Sequence, residues 1–296
     1  MALVPRIGVV TVTYNSEAVF QEFLDSICMQ TYENFVLYVV DNASKDRTLE
    51  IARKRADIPI VIIANSDNLG VAEGNNQGIR ASLIDGCECV LLLNNDTVFS
   101  SELLDKLHSG LDRFHCEMTT AKMYFHDYPE RLWCAGGSFQ PLLGYESRHE
   151  GEGEQDAGQF DKPRRVSYTP TCCLMVRRRV FDEVGLMDSR YFAYSDDVDF
   201  LYRCLLRSIS LWYIPEAQLW HKVSSLTGNM SEFTVHFSTR NRIYFIRKHL
   251  SPIIALAWYW YSVIRSTVAF LVRHISYSKW ILRLTAAREG WQMLDR

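Results

Sequence analysis

Short runs of apolar residues alternate with amphipathic segments over the first hundred residues. Four runs are continuous and rich in Val, Ile and Leu, which is typical of strands buried on both faces of a parallel sheet. These predicted strands are Ile7–Val12, Phe35–Val40, Ile60–Ala64 and Cys89–Leu93. Apolar residues with helical spacing follow the first three, and Ser16 is the predicted N-cap of the first helix. The pattern predicts βαβ units in an α/β fold, with an open, mostly parallel sheet and helices on both faces.

Polar clusters stand where each predicted strand ends. They are Tyr14-Asn15-Ser16, Asp41-Asn42-Ala43-Ser44, the loop 65–69 and Asn94-Asn95-Asp96. Asn, Asp and Ser are ordinary turn formers, which would explain any single cluster. Ligands of open α/β sheets bind beyond the carboxyl ends of the strands, so four clusters at one edge favour a binding site.

The second half of the chain is less regular between about 115 and 165, where Glu150–Asp156 is predicted to be a mobile acidic loop. Beyond it we predict strands at Cys173–Val176 and Leu211–Ile214, a helix at Arg179–Val184 and a longer helix that includes Val198–Leu205. The 296 residues suffice for one large domain and an appendage. We predict a domain over 1–240, divided near residue 100, and a helical tail over 241–296.

Charge is distributed unevenly along the chain. Residues 240–296 contain ten Lys/Arg and two acids, a balance of +8, so the other residues carry −3 − 8 = −11. A basic tail on an acidic body indicates a separate role for the tail, either at an anionic membrane surface or at a polyanion. We expect no nucleic-acid partner. The eight cysteines form no C-x-x-C pair and are predicted to be buried free thiols. The N-terminus has no signal-peptide pattern, so we expect a cytoplasmic protein.

Two common nucleotide-binding motifs are absent. Gly70, Gly74 and Gly78 are spaced by four on a predicted helix and do not match the G-x-G-x-x-G fingerprint, and no P-loop pattern is present. The sequence therefore disfavours a dehydrogenase and a P-loop NTPase. Without these motifs, we expect a nucleotide to be bound by carboxylates and amides, with a metal ion at its phosphates.

The strand-end motifs, taken together, resemble family 2 of the glycosyltransferases. The resemblance spans residues 7 to 250 and is closest to the rhamnosyltransferase branch of bacterial O-antigen and capsule synthesis. It rests on Thr11-Val12-Thr13-Tyr14-Asn15, Val40-Asp41-Asn42-Ala43-Ser44, Asn68-Leu69-Gly70 with Gly74-Asn75, Leu93-Asn94-Asn95-Asp96-Thr97, Tyr194-Ser195-Asp196-Asp197-Val198-Asp199 and Trp220-His221. It implies a GT-A fold, with a nucleotide-binding half over 1–100 and an acceptor and catalytic half over 101–240.

The resemblance also implies a set of residues that bind the nucleotide sugar. They are Thr11, Tyr14, Asn15, Asp41, Asn42, Asn68, Gly70, Asn75, Asn95, Asp96 and Arg240. A carboxylate such as Asp41 can accept a hydrogen bond from N3–H of uracil or thymine. Helix capping is the alternative role for Asp41, a turn for Asn68, and a solvated helix position for Arg240.

Asn94-Asn95-Asp96 occupies the position of the family's D-x-D motif, which implies a divalent cation at the donor diphosphate. Mg²⁺ or Mn²⁺ suits a site built from oxygen ligands, waters and phosphates. Asn94 replaces the first acid, so Asp96 is the one strong anionic ligand. His221 is the second implied ligand, although Lys222 stands where many relatives have another histidine.

Asp197 aligns with the family's catalytic base, which takes the acceptor proton during inverting transfer. The alternative is that Asp196 and Asp197 only complement the dipole of a helix capped by Ser195. A helix N-terminus favours the charged carboxylate, so we expect Asp197 to be a weak base. Asp199 is expected to pair with Arg203 at the i, i+4 spacing.

By resemblance, the donor is dTDP-L-rhamnose, with UDP-sugars as the alternative, and the acceptor is a saccharide. Two other functions are the alternatives. A sugar-phosphate nucleotidyltransferase would need a Gly-rich basic loop after the first strand, where Thr13-Tyr14-Asn15-Ser16 stands instead. A non-catalytic nucleotide-sugar-binding module would not need both Asp96 and Asp197.

One long apolar run lies in the tail. Ile253–Val272 contains a single charge, Arg265, and a cluster of Trp and Tyr, with basic residues on both sides. Amphipathic helices lying on the anionic inner face of the cell membrane are predicted, which would suit a lipid-linked acceptor. The alternatives are a spanning helix, for which the run is just long enough, and a dimerising helical pair.

Overall fold

The computed structural model describes residues 4–222 and 231–295. Met1–Leu3, 223–230 and Arg296 lie outside the described residues, and with them the start of the N-terminus considered above and the last basic residue of the tail. The described strands are β1 Ile7–Thr13, β2 Phe35–Asp41, β3 Ile60–Ala64, β4 Cys89–Leu93, β5 Thr97–Phe99, β6 Met118–Phe125, β7 Leu132–Cys134, β8 Gly137–Gln140, β9 Glu146–His149, β10 Arg164–Val166, β11 Cys173–Arg177 and β12 Leu211–His221. The described helices are α1 Glu17–Cys28, α2 Thr48–Arg53, α3 Gly70–Ile84, α4 Leu103–Arg113, α5 Arg178–Val184, α6 Asp196–Leu206, α7 Glu232–His249, α8 Pro252–Leu271 and α9 Tyr277–Gln292.

The central sheet has the order β10-β12-β6-β11-β4-β1-β2-β3, with β5 on β12 and β7 on β6. Its first four strands, all predicted from sequence, pair in parallel. In the second half β11 is antiparallel to both of its neighbours, whereas β12 runs parallel to β6. The predicted α/β fold is confirmed, and helices cover both faces of the sheet.

The second half contains more strand than predicted. β5 to β9 lie in a region without clear periodicity, and four of these five strands have only three or four residues. β12 extends to His221, past the predicted end at Ile214. The sequence did not predict this extension, because proline usually marks the end of a strand. In the structure, Pro215 lies at an irregularity of the strand between Ile214 and Gln218.

The glycine spacing of four has a packing explanation. α3 lies directly on β1, and a Cβ at Gly74 or Gly78 would come within 2.7 Å of the Val12 side chain or 2.3 Å of the Val10 side chain. Glycine is therefore required for the close approach of helix and strand.

The acidic loop that was predicted to be mobile is held in place by ion pairs. The buried Lys122 ammonium lies 2.8 Å from an oxygen of Asp156 and 2.6 Å from one of Asp161. The sequence did not show this, because a lysine within a strand is normally exposed. All eight cysteines are free, and seven are buried as predicted, with Cys28 exposed.

The predicted boundary at residue 240 falls inside α7. This helix packs with its Tyr244 and Phe245 into the core of the domain, and α9 packs against it so closely that a Cβ at Gly290 would lie 2.1 Å from the Arg240 carbonyl oxygen. Among the described helices, α8 is long and apolar enough to cross a membrane by length and composition, and only 11% of its most apolar window is buried.

Candidate active site

Asp41 is buried at the end of β2, beside the end of β1. Its carboxylate accepts hydrogen bonds from the Thr13 hydroxyl at 2.8 Å, the Ser44 amide at 2.9 Å and the Ser44 hydroxyl at 2.5 Å. Helix capping does not explain the residue, because α2 begins only at Thr48. Three donors fix the carboxylate and leave about one of its four acceptor sites for a ligand. Thr13 was not among the predicted site residues.

The β1–α1 loop is fastened to the β2–α2 loop by Asn15, which has a positive φ of 51°. Its amide donates to the Ser44 hydroxyl at 2.9 Å, and its side-chain oxygen accepts from the Lys45 amide at 2.8 Å. The adjacent Tyr14 is exposed. Thr11 lies two residues before the end of β1, buried, and its hydroxyl has no hydrogen-bond partner among the described residues.

Asn42, Asn68 and Gly70 meet at the start of α3. The Asn42 side chain donates to the Gly70 carbonyl at 3.0 Å, and the Gly70 amide donates to the Asn68 side chain at 3.0 Å. Gly70 has a φ of +83°, and a Cβ there would lie 2.4 Å from the Phe192 carbonyl oxygen. Only glycine fits this position.

Asn75 and its neighbour Asn76 join α3 to the segment before α6. The Asn75 amide lies 3.8 Å from the Met187 sulfur, whereas Asn76 both donates to the Met187 carbonyl at 2.8 Å and accepts from its amide at 2.9 Å. Asn76 therefore binds the Met187 segment more strongly than Asn75 does. Asn76 was not among the predicted site residues.

Asp96 and His221 come together at the edge of the sheet. β12 pairs with β5, which places His221 beside Thr97, and the His221 Nε2 lies 3.1 Å from a carboxylate oxygen of Asp96. The other ring nitrogen, Nδ1, is buried without a hydrogen-bond partner in the described chain. Lys222 points to a different partner, with its ammonium 2.9 Å from Glu22.

Asn95 lies between β4 and this pair. Its side-chain amide donates to the Val12 carbonyl, and its side-chain oxygen is buried with no hydrogen-bond partner in the described part of the chain. Within residues 4–222 and 231–295 no group of three or more His, Cys, Asp and Glu could hold a metal ion. A cation here would therefore have Asp96 and His221 as its protein ligands, with waters and phosphate oxygens for the rest.

Asp197 occupies the first turn of α6. One carboxylate oxygen accepts from the Tyr168 hydroxyl at 2.7 Å and the other from the Val198 amide at 2.8 Å. Ser195 is the N-cap residue but has a φ of 64° and makes no side-chain cap bond, so capping does not explain the acid cluster.

The expectation that Asp197 is a weak base is wrong. Burial raises the pKa of Asp197, and the Tyr168 hydrogen bond only partly opposes that rise. Burial also raises the pKa of the adjacent Asp196 to about 7, with the charge of Asp197 as the next contribution. Desolvation outweighs the helix terminus, so Asp197 is a stronger base than an exposed aspartate.

Three aromatic residues, none predicted, connect Asp197 with the Asp96–His221 pair. The Trp133 ring lies edge-on to His221 at 4.3 Å and to His149 at 5.0 Å between centroids. The His149 ring in turn stacks on Tyr168 at 5.9 Å. We call Trp133, His149 and Tyr168 the aromatic bridge. They come from three separate segments, so no sequence spacing indicated them.

Asp199 lies in a cluster of ion pairs. It is fully buried, and its carboxylate contacts Arg203 at 2.8 Å, Lys248 at 2.6 Å and His249 at 2.7 Å. The predicted pairing with Arg203 is confirmed. Burial alone would raise the pKa of Asp199, but the His249 hydrogen bond and the charges of Lys248 and Arg203 lower it to about 2.

Arg240 lies with the segment that precedes α6. Its guanidinium is 4.6 Å from the Phe237 ring centroid and donates to the Arg190 carbonyl at 3.0 Å, and burial lowers its pKa. The next residue, Asn241, donates to the carbonyls of Ala193 and Tyr194 at 2.7 and 2.8 Å. Asn241 therefore holds the backbone that leads into the Asp197 turn.

The order of the central sheet and the polar side chains at the carboxyl ends of its strands define a glycosyltransferase of the GT-A type. Two solved structures superpose over nearly the whole chain. The mannosyltransferase PcManGT from Pyrobaculum calidifontis, in complex with GDP-Man and Mn²⁺, matches with a TM-score of 0.60 and 14% identity over 98% of this chain and 86% of its own. GalNAc-T7 with UDP, GalNAc and Mn²⁺ matches with a TM-score of 0.68 and 12% identity, over 91% of this chain and 52% of its own. At such identities these likenesses show the fold alone.

The chain belongs to Glycosyl transferase family 2, which matches residues 8–185. It is 26% identical over 259 residues to a dTDP-rhamnosyl transferase, RfbF, of Shigella flexneri, covering 84% of this chain and 82% of the relative. It is 25% identical over 244 residues to an N-acetylglucosaminyl-diphospho-decaprenol L-rhamnosyltransferase of Mycobacterium tuberculosis, covering 74% and 77%. The predicted resemblance to the rhamnosyltransferases and the predicted glycosyltransferase activity are confirmed.

Proposed function

We propose that this glycosyltransferase transfers L-rhamnose from dTDP-rhamnose to a saccharide acceptor with inversion, in cell-surface polysaccharide synthesis. The activities of both rhamnosyltransferase relatives support the sugar, and that of the Shigella protein supports the nucleotide. The observation that carries the proposal is the half-buried Asp197, joined by the aromatic bridge to the Asp96–His221 pair. A base and a diphosphate site on one surface are what a single displacement needs.

In this reaction Asp197 accepts the proton of the acceptor hydroxyl while that oxygen bonds to the anomeric carbon. The bond from the anomeric carbon to the diphosphate oxygen breaks at the same time, and the nucleoside diphosphate leaves with the electron pair. The raised pKa of Asp197 strengthens it as a base. The Tyr168 hydroxyl and the Val198 amide fix the carboxylate in one orientation, which lowers the entropic cost of the step.

Asp96 and His221 would hold Mg²⁺ or Mn²⁺. One carboxylate oxygen and one imidazole nitrogen, 3.1 Å apart and buried, suit a cation that also binds the donor phosphates. When bound, the ion would neutralise charge on the departing diphosphate. Both solved structures named above contain Mn²⁺, which supports this assignment.

The nucleotide would lie at the ends of β1 and β2. Asp41, with Thr13 and Ser44 fixing its carboxylate, can accept N3–H of thymine, and the same bond is possible with uracil. UDP-sugars therefore stay the alternative donors. Asn95, Asn68 and Asn75 line the neighbouring strand and helix ends and are proposed to contact the donor.

A donor panel tests the proposal. The purified protein is incubated with dTDP-rhamnose or UDP-sugars, an acceptor and Mn²⁺, and nucleoside diphosphate release and the anomeric configuration of the product are measured. Release from dTDP-rhamnose with an inverted product is expected. Transfer from a UDP-sugar only would overturn the donor assignment, and a retained configuration would overturn the role of Asp197. Formation of a nucleotide sugar from a sugar phosphate would instead show a nucleotidyltransferase, and binding without release a non-catalytic module.

We further propose that the protein is cytoplasmic and lies on the inner face of the membrane, where it meets a lipid-linked acceptor. The exposed apolar residues of α8 form a stripe along its length, spaced by three or four. They are Ile253, Leu256, Trp260, Ile264, Val268 and Leu271. Arg265 is exposed on the same helix, and a charge there is costly inside a bilayer, which favours an interfacial helix over a spanning one.

A further inference from the structure

Two exposed leucines lie in the turn that joins β8 to β9. Pro141–Leu143 form a single 3₁₀ turn, and Gly144 closes it with a φ of +63°. Leu142 is 95% exposed and Leu143 is 49% exposed. Hairpin turns are normally polar, so the fold does not explain these side chains.

The turn lies against α8. A Cβ at Gly144 would be 3.1 Å from the Trp258 ring and 3.0 Å from the Arg242 guanidinium. The same guanidinium donates to the Leu143 carbonyl and lies 5.8 Å from the Trp258 ring centroid. Contact with α8 on one side and a hydrogen bond from α7 on the other fix the position of the turn.

The leucines therefore extend an apolar surface of α8. Ile254 and Tyr261 stand one helical turn before and after Trp258, so the three share one side of the helix. Ile254 and Tyr261 are about half exposed, and the Tyr261 ring meets Trp258 at 5.3 Å. We call these three residues, with Leu142 and Leu143, the turn patch.

Charge around the turn patch identifies its partner. Arg265 is exposed one turn beyond Tyr261, and Arg242 lies beside the turn itself. The rest of the described tail adds further cations, at Arg273, Lys279, Arg283 and Arg288. An apolar surface bordered by cations matches the boundary between acyl chains and headgroups in an anionic bilayer. A second copy of the chain would bring the same positive charges together, which is unfavourable.

We propose that the Pro141–Gly144 turn is a second membrane-contacting element, which inserts Leu142 and Leu143 into an anionic bilayer beside α8. β9 begins two residues after the turn and ends at His149 of the aromatic bridge, and it spans ~10 Å at the rise of a strand. The bilayer surface then lies close to Asp197, so that an acceptor sugar can be reached while its lipid stays in the membrane. This inference rests on the proposed function for its purpose, but its contact with lipid is tested separately.

Site-specific labelling tests the contact. Cys28 is the one exposed cysteine of the eight, so Cys28→Ser gives a background in which Leu142→Cys can be labelled with an environment-sensitive dye. Ile84→Cys, at the exposed end of α3, is the matched control. Vesicles of equal parts phosphatidylcholine and phosphatidylglycerol should shift the dye emission at position 142 to the blue and leave the dye at position 84 unchanged.

Three results would overturn the inference. The first is a protein that floats with the vesicles while the dye at position 142 stays in water. The second is an absence of binding to these vesicles. The third is a dye already shielded without vesicles, in a protein that sediments as a dimer, which would make the turn patch a contact between copies.

An activity measurement connects the contact with the reaction. Leu142→Ser with Leu143→Ser should weaken vesicle binding at least roughly tenfold. It should lower transfer to an N-acetylglucosaminyl-diphospho-polyprenol in vesicles and leave transfer to a short-chain, water-soluble analogue unchanged; Ile84→Ser should affect neither. Equal activity of the double variant and wild type on the vesicle-borne acceptor would contradict the inference. Absence of transfer by wild type with either acceptor would instead contradict the proposed function, while the labelling result would still stand.

Discussion

At the scale of single residues, Asp197 is enclosed by groups that lie far from it in sequence. Its position at the start of a helix was predictable, because the Ser195–Asp199 motif identified it. Its raised pKa was not, because the burial that causes it involves Tyr168, which lies 29 residues away and donates to the carboxylate. The helix terminus is a local feature visible in the sequence, whereas desolvation depends on the folded chain.

The hydrogen bond from Tyr168 predicts a pH effect. Tyr168→Phe removes a contact that lowers the pKa of Asp197, so the pKa of this carboxyl should rise further. Because the base must be ionised, the variant should lose activity at a higher pH than wild type on the acidic side of the kcat profile. Its activity at alkaline pH should also be lower, because the carboxylate loses one of the two hydrogen bonds that orient it. Tyr128→Phe, at an exposed tyrosine, is the control. An acidic limb that does not move, or moves to lower pH, would contradict this role.

Asp96 is expected to be indispensable for turnover. Asp96→Ala should raise the barrier by several kcal/mol through lost stabilisation of the leaving diphosphate, since His221 alone would remain as protein ligand. Activity of the variant and of wild type with EDTA should both be abolished, as measured by nucleoside diphosphate release. Asp182→Ala, at an exposed position of α5, is the control. Full wild-type activity in EDTA would remove the metal from the mechanism.

At the scale of elements, the ionic cluster around Asp199 joins α6 to α7. Lys248 reaches both Asp199 and Asp188, at 2.6 and 2.8 Å, and Arg203 adds the pairing within α6. The pairing within α6 was predictable from its i, i+4 spacing, but the contacts from α7 join residues about 50 positions apart. Sequence reasoning also missed β5 and β7 to β9, because strands of three or four residues are too short to show periodicity.

Loss of the Asp199 charge should destabilise the fold more than it affects turnover. Asp199→Asn leaves Lys248 and Arg203 partly unpaired in a buried place and should cost about 3–5 kcal/mol of unfolding free energy. The folded pKa of about 2 lies below the ordinary 3.8, so this stabilisation is present above the ordinary value and is lost as the pH falls toward 2. Urea unfolding should therefore show a large difference from wild type at neutral pH that shrinks in acid. An equal difference at both pH values, or none at neutral pH, would contradict it.

At the scale of the whole molecule, the catalytic domain and the tail form one packed unit. α7 contributes Asn241 and Lys248 to the segments around α6, and α9 packs on α7, while α8 presents its apolar stripe to the outside. The sequence predicted the basic, aromatic tail but not its attachment to the site. That attachment depends on Gly290, whose missing side chain admits the Arg240 carbonyl.

The apolar stripe predicts membrane binding in which α8 participates. Ile253→Ser with Ile264→Ser should reduce flotation with anionic vesicles at least roughly tenfold, because two exposed apolar side chains lose their burial in lipid. Added salt should weaken wild-type binding as well, since the cations of the tail contribute. Ile84→Ser is the control. Binding that the double variant retains in full would exclude α8 as the docking helix.

The role of Asp197 as the base is tested most directly by the turnover of Asp197→Asn. The catalytic rate should fall at least roughly a hundredfold, with nucleotide affinity little changed, because the amide cannot accept the acceptor proton. Asp182→Asn serves as the control, and Asp196→Asn, whose carboxyl is adjacent, should keep measurable turnover. Normal turnover of Asp197→Asn together with a dead Asp196→Asn would contradict the assignment and place the base one residue earlier.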